Sequence, residues 1–253
     1  MSRLLTASLS AAVLVAFAPV ARAADEPKDI IAKAIKAHGG EEYLAKHQAV
    51  QATEKGKINI PGVGEVDFTE DYAYMLPDKF KQTFDFEIAN QKIRIVAVTN
   101  GDKISVEATA GGQAVDLGDN IKTAYKDVPH VLRVGHLAPL VKDKGYELSI
   151  IGEDKVEGKK VVGVRVTKKD CKDISLYFDT ETWLLAKMEY QTVDSSTGKD
   201  ITEERIFKEY GKNGDGIMIP KKTVVKQDGK TFLESEVVEM KYLEKLDDSE
   251  FKK

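Results

Sequence analysis

The sequence contains very little cysteine, tryptophan and histidine, and these shortages restrict its chemistry. Of 253 residues, one is cysteine, one is tryptophan and four are histidine. A single cysteine cannot form an intramolecular disulfide framework or a cysteine-built zinc site. His130 and His136 are six residues apart, so they do not share one helical face as two zinc ligands at i and i+4 would. We therefore expect no metal site and no cofactor.

The motifs of common enzyme classes are also missing. The sequence has no G-x-S-x-G nucleophile elbow and no phosphate-binding P-loop. Glu203 and Glu204 are neighbours in a predicted strand and would face opposite ways, so they could not flank one glycosidic bond. Both are expected on a solvated face, and Cys171 is expected to be an ordinary surface cysteine. We expect the chain not to be an enzyme and name no catalytic residue.

Neither sign of charge dominates the sequence. It has 38 lysines and arginines against 42 aspartates and glutamates, a formal net charge of −4, and the two signs are interspersed. Nucleic-acid-binding proteins usually carry a clustered basic stripe. The chain is therefore not expected to bind nucleic acid.

Long apolar runs are confined to the first residues of the chain. Arg3, the run LLTASLSAAVLVAFAPV and the small residues Ala21 and Ala23 have the layout of a secretory signal peptide. A transmembrane helix needs about 20 uninterrupted apolar residues. We expect residues 1–23 to be cleaved and residues 24–253 to form one domain. That domain is expected to be soluble in the periplasm and not an integral membrane protein.

Beyond the leader, helical periodicity gives way to alternation with a period of two. Ile30, Ile31, Ala34 and Ile35 recur at helical spacing and are followed by two glycines, which predicts an N-terminal helix. Strand patterns separated by turn residues follow at 49–117 and 146–243, with one strand predicted over 217–227. Between them, Pro129 and Pro139 divide an apolar stripe into short helices. The polar tail DDSEFKK at 247–253 is expected to be loosely held.

The short turns between strands predict antiparallel neighbours, because parallel crossovers need a dozen residues or more. The fold class we expect is α+β and mostly β, with a single curled antiparallel sheet. This sheet would be a half-open β-barrel of about 11 strands. An N-terminal helix and a short helical lid would cover its concave face.

The segment KFKQTFDFEI at 79–88 predicts a strand with an aromatic face and a charged face. A sheet covered by a few short helices tends to leave an incompletely filled apolar groove. We expect this groove to be a ligand site lined by Tyr72, Tyr74, Phe80, Phe84, Phe86 and Ile88 and closed by the lid residues Leu132, Leu137 and Leu140. The same side chains could equally fill an ordinary core, where each contributes about 1.5–3 kcal/mol.

Several short motifs follow the N-terminal helix in a characteristic order. They are LPDKFK at 76–81, TNGDKISV at 99–106, YFDTETWLLAKMEYQ at 177–191 and GDGIMIPKKTVVKQDGK at 214–230. In this order of elements the chain resembles the outer-membrane lipoprotein-sorting proteins, which comprise a periplasmic carrier and its receptor. The resemblance implies a half-open antiparallel barrel with a helical lid. Its apolar cavity would shield the acyl chains of lipoproteins, or another lipid, in the cell envelope.

The function that we expect is a periplasmic carrier of lipid or lipoprotein acyl chains, with an envelope protein as its delivery partner. Because the aromatic face could be a filled core, the alternative is a non-catalytic envelope interaction or scaffold module. A hydrolase using dispersed carboxylates is the weakest alternative, since no acid–base pair lies close in the sequence.

Overall fold

The computed structural model describes residues 26–252. The predicted signal peptide at 1–23 lies outside this range and stays a prediction. Within the range, none of the helices combines the length and the apolar character that crossing a membrane requires.

Two helices precede the sheet. α1 (Pro27–His38) begins with proline in its first turn and ends at Gly39, whose φ of 144° few other residues adopt. Ile30, Ile31, Ala34 and Ile35 are its buried residues, so the predicted N-terminal helix and its apolar face are confirmed. α2 (Glu41–Lys46) adds a turn and a half before the first strand.

The remaining elements are strands on either side of three short helices. The first group is β1 (Ala49–Ile60), β2 (Gly64–Met75), β3 (Lys79–Ile88), β4 (Gln91–Asn100), β5 (Lys103–Ala110) and β6 (Gln113–Val115). The helices are α3 (Asn120–Lys126), α4 (Val128–Gly135) and α5 (Pro139–Lys142). The second group is β7 (Tyr146–Val156), β8 (Lys159–Lys168), β9 (Ile174–Asp179), β10 (Leu185–Val193), β11 (Asp200–Lys208), β12 (Gly211–Lys212), β13 (Met218–Ile219), β14 (Lys222–Gln227) and β15 (Lys230–Leu243).

Thirteen strands form one antiparallel sheet in the order β6-β5-β4-β3-β2-β1-β15-β14-β11-β10-β9-β8-β7. β6 and β7 are its edges, so the sheet is not closed. The expected number of about 11 strands was slightly too low. The strand predicted over 217–227 is also divided at Pro220: β13 pairs with β12 in a small separate sheet, and β14 joins the large one.

The centre of the sheet is the pairing of β1 with β15, which joins the two strand groups. This pairing is irregular between Thr53 and Glu54 of β1, where β15 contains an extra residue, Val238. At Gly56 the two backbones approach so closely that any Cβ would overlap the backbone oxygen of Glu234. Glycine at this position therefore permits the two halves to join.

The contacts of one short helix with both halves of the sheet show that the sheet is strongly curled. α3 packs against β4 and β5 on one side and against β10 on the other. β5 and β10 are eight strand spacings apart, which would be about 38 Å on a flat sheet. A helix of seven residues is only about 10 Å long. The helices therefore lie on the concave side, here called the inner face, and the opposite side is the outer face.

Two apolar clusters hold the helices on the inner face. The larger one joins α1, α4 and α5 to β7–β10 and includes Ile31, Val134, Val164 and Leu176. The smaller one, here called the lid cluster, joins α3 and α4 to the first strand group. Its members are Val50, Ala52, Tyr74 and Phe80, packed against Tyr72, Leu76, Tyr125, Val128, Leu132, Met240 and Tyr242.

The C-terminal tail is not loosely held, in contrast to the prediction. A 3-10 helix (Asp248–Phe251) packs on β3 and β4, and Phe251 is only 2% exposed. Lys79 Nζ lies 2.6 Å from Asp248 Oδ1, and Asn100 Nδ2 donates to the backbone oxygen of Phe251 at 3.5 Å. The single aromatic residue in a polar segment anchors the tail.

Candidate functional site

Cross-strand pairing arranges the inner face of β1–β4 in rows that run across the strands. Beginning near the lid, the rows are Val50, Tyr74, Phe80, Thr99; Ala52, Tyr72, Gln82, Ala97; Glu54, Glu70, Phe84, Ile95; and Gly56, Phe68, Phe86, Ile93. Ile58 pairs with Val66 beyond the last of them. The first row is apolar and aromatic except for Thr99, the middle rows contain polar residues, and the last positions are apolar again.

The lid contacts the sheet mainly through Tyr125 and Leu132. The Tyr125 ring stacks on Phe80 with centroids 6.2 Å apart, and its hydroxyl donates to Gln82 Oε1 at 2.5 Å. Leu132, half-buried, packs in the lid cluster as the sequence suggested for a lid residue. Leu137 and Leu140 are instead 1% and 3% exposed in the larger cluster, beneath α1 and β7–β10.

The six residues expected to line the site all lie on strands of the first group, but their burial differs. Tyr74, Phe80 and Phe84 are buried, at 7%, 5% and 7% exposure, and contact other protein side chains. Tyr72, Phe86 and Ile88 are half-buried. The three buried rings form core, and the three half-buried residues retain accessible surface.

Half-buried apolar side chains continue beyond the three that the sequence suggested. Ile58, Val66, Phe86, Ile88, Ile93 and Ile95 form the end of the inner face that lies away from the lid, here called the open end. Phe84 connects it to the buried rings, because it contacts Phe68 at 4.5 Å and Phe86 at 5.8 Å between centroids. In the part of the chain that the structure describes, none of the open-end residues belongs to the lid cluster. The open end is therefore a partly exposed apolar surface outside the lid cluster.

Polar side chains separate the lid cluster from the open end. They are Glu54, Glu70, Tyr72, Gln82, Glu203 and Arg205, and we call this group the polar band. Glu54, 9% exposed, accepts from the hydroxyls of Tyr72 at 3.1 Å and of Ser235 at 2.6 Å. Its two carboxylate oxygens are thus each hydrogen-bonded within the sheet.

Glu70 is the member of the polar band whose ionisation is most strongly changed. Gln82 Nε2 donates to Glu70 Oε1 at 2.7 Å. Burial, together with the nearby carboxylate of Glu54, raises the pKa of Glu70 to about 8. The side chain therefore keeps its proton near neutral pH and offers a hydroxyl donor on the inner face.

Arg205 extends from β11 toward the same region. Its Nε donates to Glu203 Oε1 at 2.9 Å and to the Tyr190 hydroxyl at 3.1 Å. Burial opposes its charge, but Tyr190 and Glu203 hold the pKa of the guanidinium above its usual range. Arg205 also lies near enough to Glu70 to act against the rise in the pKa of that carboxyl. The polar band therefore spans both halves of the curled sheet.

Sequence analysis missed the polar band, although its alternation contained a signal. Glu70 lies on the same strand face as the aromatic residues Phe68 and Tyr72 and interrupts their alternation. Gln82 likewise interrupts the face formed by Phe80 and Phe84. The expectation that Glu203 is solvated was wrong, since it is 8% exposed and accepts hydrogen bonds from Tyr190 and Arg205. Only Glu204 points outward, toward Lys187 at 3.0 Å. Because the strand pairing is not visible in the sequence, nothing indicated that β11 would bring Arg205 toward β2.

The histidines serve as hydrogen-bonding groups next to helix ends. His38 lies 2.8 Å from the Ala34 carbonyl, and His136 Nε2 donates to the Leu44 carbonyl at 2.8 Å. Burial lowers the pKa of both. Over residues 26–252, no three histidine, cysteine, aspartate or glutamate side chains are grouped closely enough to hold a metal ion.

Two depressions lie away from the open end. One, about 290 Å³, is on the outer face and is bordered by charged side chains such as Asp71, Lys81 and Glu239. The other, about 300 Å³, lies between the end of the lid and the start of β3 and is bordered by Arg133, His136 and other residues. Neither depression has the apolar lining of the open end.

Solved structures of other proteins share this architecture, although neither a protein-family model nor a curated protein matches the chain. A DUF1329 family protein from Desulfovibrio piger is 16% identical and aligns over 90% of this chain and 98% of its own, with a TM-score of 0.53. The LolA superfamily protein NE2245 from Nitrosomonas europaea is 14% identical and aligns over 91% and 99%, with a TM-score of 0.51. The chain therefore shares the fold of these two proteins, and the resemblance to the lipoprotein-sorting proteins is confirmed at the level of the fold.

Proposed function

We propose that the chain is an exported, non-catalytic carrier that binds the acyl chain of a lipid or lipoprotein along its inner face. The observation that carries this proposal is the open end, where six apolar side chains remain half-buried on the concave side of the sheet. An acyl chain bound there would cover this surface, so that both the acyl chain and the open end would lose their contact with water.

The energy available from such burial is sufficient for binding. Each buried CH₂ contributes about 0.8 kcal/mol, so a chain of 12 carbons supplies a gross of about 10 kcal/mol. The loss of translational freedom on binding opposes this gain. With an association cost of about 4 kcal/mol or more, the acyl chain alone leaves at most about 6 kcal/mol, to which burial of the apolar surface of the open end adds.

Within this proposal, Tyr72, Phe86 and Ile88 act as lining residues, together with Ile58, Val66 and Ile93 of the open end. Tyr74, Phe80 and Phe84 support the lining from beneath, since they are buried against protein. Leu132 acts as the lid residue. Leu137 and Leu140 hold the lid by anchoring its C-terminal part in the larger cluster.

The site of action that we propose is the periplasm, after removal of residues 1–23. Residues 24–253 would then work as one soluble domain that collects a lipid or acylated lipoprotein and delivers it to an envelope partner. The order of elements shared with lipoprotein-sorting proteins and the fold shared with the LolA superfamily protein support this location.

The burial of Tyr74, Phe80 and Phe84 favours a second candidate. If the inner face served only as core, the protein would be an envelope interaction or scaffold module. The two candidates differ in whether the open end takes up hydrocarbon.

Uptake is tested with N-phenyl-1-naphthylamine, an uncharged probe that fluoresces in apolar surroundings. We expect the mature chain to bind the probe and to release it when a twelve-carbon acyl ligand is added. The Phe86→Lys variant should bind the probe at least tenfold more weakly, because the substitution places a charge on the apolar surface of the open end.

Thr83→Lys is the matched control, since Thr83 lies on the outer face of the same strand and receives the same new side chain. It should bind the probe as the unmodified protein does. A folded protein that takes up no probe, or equal binding by both variants, would refute the carrier proposal and favour the scaffold module.

A further inference from the structure

The polar band is a feature that burial of hydrocarbon does not explain. Three carboxyl groups and one guanidinium lie in the middle of an otherwise apolar inner face, between the lid cluster and the open end. Removing charges from water costs several kcal/mol per ion unless they are well paired. If the inner face contacted only hydrocarbon, the protein would be more stable with apolar side chains at these positions.

The carboxylate oxygens of Glu54 and Glu203 all accept hydrogen bonds within the protein, whereas donors of the band remain free. The hydroxyls of Tyr72, Tyr125 and Tyr190 are all donated to neighbours within the protein. Arg205 makes its hydrogen bonds through Nε, while its two Nη groups carry four further N–H donors. Its side chain keeps 36% of its surface exposed although it lies between the two halves of the sheet. The protonated carboxyl of Glu70 adds another donor.

The charges and the occupied carboxylate oxygens of the band disfavour two classes of polar group. Glu54 and Glu203 contribute two formal negative charges against one positive charge on Arg205, so an added anion would be repelled. An ammonium group can only donate hydrogen bonds, and each carboxylate oxygen of Glu54 and Glu203 that could accept one already does so within the protein. An uncharged oxygen acceptor avoids both difficulties.

We propose that the polar band binds the uncharged, oxygen-rich polar group of an amphipathic lipid, such as the ester and hydroxyl oxygens of an acylglycerol. The Nη groups of Arg205 and the carboxyl of Glu70 donate to these oxygens, and the acyl chain lies along the open end. This inference rests on the proposed carrier function and specifies the class of its ligand.

The test compares three ligands with the same twelve-carbon chain: monolauroylglycerol, dodecanoate and dodecylammonium. Each displaces N-phenyl-1-naphthylamine from the folded mature protein at pH 7. We expect monolauroylglycerol to bind at least tenfold more tightly than either charged ligand. A charged ligand that binds as tightly as the glyceride would overturn the inference and leave the carrier proposal standing. Absence of probe uptake by the unmodified protein would overturn both.

Two variants locate the contact. The double variant Arg205→Met/Glu203→Gln removes the guanidinium without leaving its partner as an unpaired buried charge, and should weaken glyceride binding about tenfold. Arg205→Lys keeps the positive charge but lacks the Nη pair, and should weaken it at least threefold even if the double variant does not fold. Arg165→Met, on the exposed outer face of β8, is the control and should change nothing. Unchanged glyceride affinity in folded Arg205→Lys would overturn the inference.

Discussion

Glu70 couples the stability of the protein to pH. Its pKa is about 8 in the folded chain, while an unfolded glutamate has a pKa near the ordinary value of about 4.3. Between these two values the folded state holds a proton that the unfolded state has lost. Stability from this group is therefore fully present at low pH and falls as the pH rises toward 8, the reverse of a salt-bridged carboxylate.

Replacing Glu70 with glutamine should remove this pH dependence. Glutamine keeps an oxygen that can accept the hydrogen bond from Gln82 and never ionises. We expect the free energy of unfolding of Glu70→Gln, relative to the unmodified protein, to rise by about 3 kcal/mol between pH 6 and pH 9. Urea denaturation at the two pH values measures it. Parallel pH profiles for the two proteins would contradict the prediction.

At this scale, the sequence revealed which residues share a face but not what that face contacts. The pattern of β3 correctly placed Phe80, Phe84 and Phe86 together, because side chains alternate strictly along a strand. It did not distinguish the buried Phe84 from the half-buried Phe86. That difference depends on how far the lid extends, which is a property of tertiary packing.

Among the elements, α3 has an unusual role, since it bridges the two halves of the sheet without a buried residue of its own. α4 is better anchored, because Val131 and Val134 are buried beneath it. Elements with few buried apolar contacts open at free energies well below that of global unfolding. The bridge should therefore open while the rest of the sheet stays folded.

Hydrogen exchange should resolve this order. We expect backbone amides of α3 to exchange fastest, those of α4 next, and those of β1, at the centre of the sheet, slowest. Tyr125→Phe removes the hydrogen bond to Gln82 and should speed exchange in α3 only. Mass spectrometry of peptic peptides covers the three elements, and equal protection of α3 and β1 would contradict the prediction.

The boundaries of the elements were predictable where turn residues or proline dictate them. α1 stops where Gly39 follows it, as the pattern indicated. Pro220 separates β13 from β14, and it could have warned against one continuous strand over 217–227, because proline cannot donate to a sheet. Leu137 and Leu140 belong to a different cluster from Leu132, which helical periodicity could not show across Pro139.

On the scale of the whole molecule, the C-terminal 3-10 helix fastens the tail to the outer face of the first strand group. Phe251→Ala should lower the free energy of unfolding by about 3 kcal/mol, because it empties a fully enclosed site. Glu250→Ala in the same helix removes only a partly exposed ion pair of 3.6 Å with Lys81 and should cost less than about 1 kcal/mol. Chemical denaturation compares the two, and equal losses would show that the aromatic anchor is unimportant.

The overall topology was only partly accessible from the sequence. Short turns predicted the antiparallel neighbours within each strand group, since hairpins are local. The pairing of β1 with β15 joins segments some 180 residues apart, such as Glu54 and Ser235. No local pattern specifies which distant strand completes a sheet, so the sequence predicted a curled antiparallel sheet but not the pairing that joins its two strand groups.

The pairing of β1 with β15 also affects how the chain folds during its synthesis. A ribosome makes β1 among the first strands and β15 as the last one, so β1 waits with one unsatisfied edge throughout synthesis. An open strand edge of 12 residues invites pairing with other chains, and contacts between distant segments form slowly. Until β15 has been synthesised, this edge of β1 remains a place where the nascent chain can pair with another chain.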